Sequence, residues 1–247
     1  MYFQHNNSAQ LRLELLYSIK NTAVRRWPFE HFFGADCLPP SLVSGMHSHW
    51  PERQSLVSLV DTKRASSKYK DRLVVSLGDL RQRLGALSPG GVFWEAFGDA
   101  VQDDDFMMSV ADWLWSSISS IRALPKKIEL FSDCVLTEDF EGYNLGPHTD
   151  APHRLVTLLW FLPQSTLQAA AGTSLYVPNP GTPALEAPSA IHYCRSNFQR
   201  VFTAPFSPGA CLGFVISPNS FHGVEPQQGL AGSRRQIQYS IRFRAVD

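Results

Sequence analysis

The 247-residue chain balances 22 Lys and Arg against 22 Asp and Glu, and is 44% apolar and 18% charged. That composition supplies a core for one large domain and gives no bulk electrostatic drive toward nucleic acid or an anionic membrane. No stretch reaches the roughly 18–20 apolar residues of a membrane-spanning helix, no secretory signal pattern is present, and four scattered cysteines (Cys37, Cys134, Cys194, Cys211) fit reduced thiols of a cytoplasmic protein.

Leu11, Leu13, Leu15, Leu16 and Ile19 give the stretch from Leu11 to about Arg25 helical spacing. An aromatic run, Trp27 to Phe33, ends at Gly34 and reads as a strand and turn; Pro39-Pro40-Ser41 then opens a short helix. Residues Ser66 to Arg83 are charged and weakly periodic, which predicts an exposed connection. Helical spacing returns in Phe93, Trp94, Phe97 and Val101, and again in Met107, Val110, Trp113 and Leu114. Asp103-Asp104-Asp105 between these runs is placed to cap the second helix.

After Pro125 the texture becomes β. Strands are predicted at Ile128–Phe131, Arg154–Leu162, Ser174–Val177, Gln199–Phe202, Cys211–Ile216 and Gln236–Phe243, punctuated by Gly, Pro, Asn and Ser. Helices followed by antiparallel strands give an α+β protein with a sandwich or barrel core. We read residues 1–124 as a mainly helical part supporting the barrel and 125–247 as the core, one domain overall. The Pro- and Ala-rich stretch Asn179–Arg195 is the one segment long enough for a lid or substrate loop.

His148-Thr149-Asp150 opens the first long strand. In extended chain, residues i and i+2 share a face, so both side chains can reach one ion. With eight His and 22 acidic residues, one such spacing is about what composition alone yields. Context adds weight: after further strands, His222 follows at a turn, and two histidines with one carboxylate suit iron(II) with open positions left. The last strand then places Ile237, Tyr239, Ile241 and Phe243 on one face and Arg234, Gln236, Gln238, Ser240 and Arg242 on the other. A guanidinium on a polar inner face pairs well with a carboxylate, although the same pattern fits solvated arginines at a strand mouth.

In this order the residues resemble the 2-oxoglutarate- and iron(II)-dependent oxygenases of the prolyl-hydroxylase-like branch. The fragments that carry the likeness span about half the chain: Gly-Pro-His148-Thr-Asp150, Leu158-Leu-Trp-Phe-Leu162, Gly172-Thr-Ser-Leu-Tyr176, Ser207-Pro-Gly-Ala210, His222-Gly-Val-Glu-Pro226 and Arg234-Arg-Gln-Ile237. The resemblance implies a double-stranded β-helix (jelly-roll or cupin-like) with N-terminal helices on its outer sheet face. It implies metal ligation by His148, Asp150 and His222, with Fe(II), 2-oxoglutarate and O2 used together and succinate and CO2 released. The co-substrate carboxylate falls to Arg234, with Arg235 as the alternative, and Thr157 and Phe161 lie nearby. Asp150 stands where halogenating members carry a small residue, which favours hydroxylation. Tyr143 and Asn144 at a pocket rim, His153 just after the metal motif and Arg195 beside the Asn179–Arg195 loop are candidate substrate contacts. A small metabolite (amino acid, sugar or carrier-bound intermediate) is the expected substrate. The alternatives are a peptide or protein hydroxylase, or a non-catalytic cupin-like metal-binding protein.

Overall fold

A computed structural model describes residues 8–62, 71–85, 87–182 and 192–246. Helix α1 (Ser8–Lys20) buries Leu11, Leu15 and Ile19, the stripe its spacing predicts. Strand β1 (His31–Gly34) and helix α2 (Pro40–Ser48), with proline in its first turn, follow. Next come β2 (Val57–Ser58) and β3 (Arg72–Ser76). Here the expectation of an exposed connection over Ser66–Arg83 is corrected. Residues 63–70 lie outside the described residues, but Arg72–Ser76 is a largely buried strand and helix α3 (Leu77–Leu84) follows it, capped by Ser76. Its apolar run, Leu73-Val74-Val75, is too short to register against the charged residues around it, and pairing with a neighbouring strand supplies the order.

Helices α4 (Pro89–Val101) and α5 (Asp104–Ile121) are the two aromatic-rich runs. Asp103 caps α5 as expected, its carboxylate accepting from the Asp105 N–H at 2.8 Å. The remaining strands are β4 (Ile128–Asp139), β5 (Leu145–His148), β6 (Arg154–Leu162), β7 (Thr173–Pro178), β8 (Phe198–Thr203), β9 (Cys211–Val215), β10 (His222–Val224) and β11 (Arg234–Ala245).

These strands form a seven-stranded sheet, β1-β9-β6-β11-β4-β3-β2, and a four-stranded sheet, β5-β10-β7-β8, with antiparallel pairing throughout. From β4 onward the chain passes back and forth between the two sheets, which is how a double-sheet jelly roll is wound. The part before residue 125 is helical, and it also adds β1 to one edge of the larger sheet and β3 and β2 to the other.

Pleating sorts β6 and β11 into two faces. Leu158, Trp160, Leu162, Ile237, Tyr239 and Ile241 turn outward into one apolar cluster with residues of α1, α4 and α5, Phe106 meeting Tyr239 at 5.3 Å and Phe97 meeting Trp160 at 6.2 Å. The helices thus cover the outer face, as expected. On the inner face, Leu159, Phe161, Leu212 and Phe214 pack against Leu175, Ala204 and Phe206. Beside this cluster lies a cavity. No helix among the described residues is long and apolar enough to cross a membrane.

Candidate metal centre

His148 ends β5 and His222 begins β10, and the two are register partners on neighbouring antiparallel strands. Their rings stand 4.3 Å apart between centroids. Asp150 follows two residues after His148, in the turn into β6. One ligand atom from each of the three lies within 4.8 Å of the others, the one such group among the described residues.

Each donor is held. His148 Nδ1 lies 3.0 Å from the Gly146 carbonyl and His222 Nδ1 lies 2.9 Å from the Ser220 carbonyl. A carbonyl can only accept, so Nδ1 carries the proton and the Nε2 lone pair is left for a metal. Thr157 donates its hydroxyl to Asp150 Oδ2 at 2.8 Å, and Arg154 Nη1 approaches Oδ1 at 3.1 Å. Burial, with His222 alongside, lowers the His148 pKa to about 3. Burial likewise lowers His222, against the pull of Asp150. Burial alone would raise Asp150, but Arg154, the two imidazoles and the Thr157 hydroxyl together hold it below the ordinary carboxylate range. At neutral pH the site therefore presents two neutral imidazoles and a carboxylate, the protonation states that ligate a divalent ion. Three donors of mixed N and O type suit ferrous iron with open positions, whereas closed structural zinc sites recruit four.

The site opens into a cavity of about 1220 Å³ between the sheets. Leu159, Phe214 and Val224 give it apolar walls near the metal group; elsewhere Arg72, Thr137, Thr173, Gln236, Gln238 and Ser240 alternate with Val57, Leu59, Val74, Val75 and Val135. Its volume exceeds the range of about 300–1,000 Å³ typical of a single ligand pocket.

No protein-family model matches the chain, and no curated protein matches its sequence. Solved structures do resemble it. A prolyl-4-hydroxylase from Pseudomonas putida superposes with a TM-score of 0.50 at 12% identity, over 94% of this chain and 99% of that one. The epimerase SnoN, solved in complex with Fe3+, alpha-ketoglutarate and nogalamycin RO, gives 0.51 at 13% identity, over 95% of this chain and 84% of that one. The chain has their fold. That fold is the double-stranded β-helix, in which the sheet alternation from β4 to β11 supplies the eight core strands.

Within this double-stranded β-helix the predicted residues separate. Thr157 lines the cavity and bonds to Asp150 rather than standing free for a ligand. Phe161 is fully buried, its ring 4.8 Å from Phe206. Arg234 is fully buried, with Nε on the Ala171 carbonyl at 2.5 Å, Nη1 on Asp139 at 2.8 Å and Nη2 3.3 Å from Thr173 Oγ1. Arg235 turns to the opposite face, pairing with Glu138 and lying over the Trp50 ring, away from the metal group.

Three of the expected substrate contacts lie away from the cavity lining. Tyr143 is not at a rim: it is 1% exposed, packed with Leu145 and Val224, and the Arg72 guanidinium sits 4.4 Å above its ring. Asn144 is exposed and donates to the Gly142 carbonyl, and it is not among the cavity-lining residues. Arg195 instead donates to the carbonyls of Leu145 (2.9 Å) and Val224 (2.6 Å), clamping the strands that carry His148 and His222. His153 does line the cavity mouth. Of the expected loop Asn179–Arg195, residues 183–191 lie outside the described residues. Its returning end docks through the Tyr193 N–H on the Pro147 carbonyl at 2.9 Å, bringing His192 within 5.1 Å of His148, ring to ring. Sequence reasoning missed Arg72, Asp139 and Thr173, because nothing in their local spacing sets them apart from surface residues.

Proposed function

We propose that the protein is an Fe(II)- and 2-oxoglutarate-dependent oxygenase that hydroxylates a C–H bond of a small polar metabolite. One observation carries this reading: three fixed donors, with both Nε2 lone pairs free, face a cavity large enough for a co-substrate and a second small molecule together. Bound ferrous iron and 2-oxoglutarate would supply oxygen activation, with succinate and CO2 released. His148, Asp150 and His222 would hold the metal, and Thr157 and Arg154 keep the carboxylate in one orientation. Asp150 itself favours hydroxylation, since it leaves no vacancy for a halide.

For the co-substrate, Arg234 remains the candidate. Thr173, 3.3 Å from its guanidinium, faces Val224 in the β7–β10 pairing while Leu175 faces His222. The guanidinium thus lies about two strand positions, roughly 7 Å, beyond the metal group along that sheet. This separation suits a five-carbon dicarboxylate bridging metal and arginine. Leu159, Phe214 and Val224 exclude water around the reacting end. On the substrate side, the buried Gln236 Oε1 has no hydrogen-bond partner, and Gln238, Ser240 and His153 add polar contacts nearer the mouth. These groups favour a molecule bearing hydroxyl or amine donors. Three metal donors weigh against a purely structural, cupin-like metal site. All four cysteines are free, which supports a reducing, cytoplasmic setting.

Anaerobic reconstitution with Fe(II) and 2-oxoglutarate tests the proposal. We expect a weak visible charge-transfer band and, on admitting oxygen with metabolite pools, succinate release and a mass gain in one metabolite. Absence of the band together with no oxygen-dependent succinate would refute it.

A further inference from the structure

The larger sheet runs two strands past the eight-stranded core, and the cavity runs with it. β3 and β2 continue the order β6-β11-β4-β3-β2, while the smaller sheet holds core strands only. Each of these five strands contributes to the cavity lining. Neighbouring strands lie about 4.8 Å apart, so the cavity reaches roughly 19 Å from Thr157, the partner of Asp150, to Val57. Register fixes what it meets on the way. Leu159 pairs with Gln238 and Gln238 with Val135; in the adjoining row Gln236 pairs with Thr137, Thr137 with Val74 and Val74 with Val57.

The chemistry of this wall changes in order. Next to the metal's strand, β11 presents Gln236, Gln238 and Ser240, and the buried Gln236 Oε1 lacks a partner. Beyond it come Val135, Val74 and Val57 from successive strands, with Leu59 just past β2. The polar side chains interspersed there are engaged within the protein. The Thr137 hydroxyl turns to the Gln236 carbonyl at 3.5 Å, Ser76 Oγ accepts from the Asp79 N–H at 3.0 Å, and Asp133 and Arg72 are ion-paired with Arg242 and Asp139. The valines are not fully covered. Val135 is half-buried although β11 and β3 flank it, and Val57 is 39% exposed. An uncovered apolar row with polar neighbours marks a ligand groove, and this one is continuous with the metal group in a single cavity.

We propose that the substrate is elongated and amphipathic: a head bearing hydroxyl or amine donors lies against Gln236, Gln238 and Ser240, and an apolar alkyl or aryl tail runs outward over Val135, Val74 and Val57. The metabolite is then polar at one end only, with its tail between roughly 10 and 19 Å from the metal's strand. This rests on the oxygenase reading above and deepens it by naming a substrate class.

The test uses N-acetyl-, N-butanoyl-, N-hexanoyl- and N-octanoylethanolamine, uncharged molecules that share one donor-bearing head and differ only in tail length. Binding is measured by anaerobic calorimetry on the protein loaded with Fe(II) and 2-oxoglutarate. Affinity should rise roughly tenfold for every two methylenes, near the value for their burial. Val135→Asn should remove roughly tenfold from the hexanoyl and octanoyl compounds and leave the acetyl compound unchanged. Val57→Asn, at an exposed edge position that folding tolerates, should weaken the octanoyl compound alone. A series that is flat in tail length, or without binding, would overturn the inference, as would variants that weaken every member equally. The charge-transfer band is read first. Its absence counts against the oxygenase reading, whereas a normal band followed by a flat series counts against the tail site alone.

Discussion

Thr157→Val isolates a single hydrogen bond at the metal centre. Thr157 is 1% exposed and its hydroxyl donates to Asp150 Oδ2 at 2.8 Å. Valine keeps the shape and β-branching, so neither a cavity nor a new clash accompanies the loss. A hydrogen bond to a charged group contributes about 1.5–3 kcal/mol. Arg154 remains on Oδ1 at 3.1 Å, so Asp150 loses one of two anchors rather than both. Removing such a partner of a ligating carboxylate typically costs roughly tenfold to a hundredfold in metal affinity, or about 1.4–2.8 kcal/mol, in line with the hydrogen-bond figure. Anaerobic calorimetric titration with Fe(II) measures it, with Thr157→Ser as the control that restores the donor. The hydroxyl also helps hold the Asp150 pKa down, so the valine variant should release metal at a higher pH. Wild-type affinity in Thr157→Val, or equal loss in the serine and valine variants, would refute the assignment.

Other outcomes follow from the same structure. At Gly223, between His222 and Val224, a Cβ would run into the Leu145 carbonyl oxygen and lie 3.0 Å from the Gly146 oxygen. Gly223→Ala should therefore part β5 from β10, cost about 1–3 kcal/mol and abolish metal binding, whereas Gly78→Ala in α3, with nothing within 4 Å, should stabilise by about 0.5–1 kcal/mol; both are read by chemical denaturation and metal titration. Because His148 is held near 3 and His222 is also lowered, the unfolded chain binds more protons than the folded one between about pH 6.5 and 3. The metal-free protein should lose stability as pH falls through that window, and below pH 4 the depressed Asp150 pushes in the same direction; a melting temperature that stays flat or rises from pH 7 to 5 would contradict this. Asp103→Ala removes the α5 cap and the ion pair to Arg12 at 2.5 Å, and should lower stability by about 1 kcal/mol in urea denaturation with metal affinity unchanged.

The sequence by itself determined whatever depends on local period and spacing. Alternation along Arg234–Phe243 separated the face that meets the helices from the face that meets the cavity, because a strand's side chains must alternate. The two-residue step from His148 to Asp150 and the strand-end position of His222 were legible for the same reason. So were the cap at Asp103 and the two aromatic helices. Tertiary structure decided the rest, because register and sheet order bring together residues remote in the chain. Arg72 meets Asp139 across 67 positions and Arg234 meets it across 95; no local pattern in Arg72–Ser76 marks that strand as part of the cavity. The surroundings of Tyr143 and Arg195 were illegible on the same ground. Proximity in sequence to His148 or to a loop did not reveal that one ring lies beneath a guanidinium and the other side chain clamps two carbonyls. The metal ligands could be read from the order of the chain, but the buried Arg72–Asp139–Arg234 cluster is set by three strands that only folding makes neighbours.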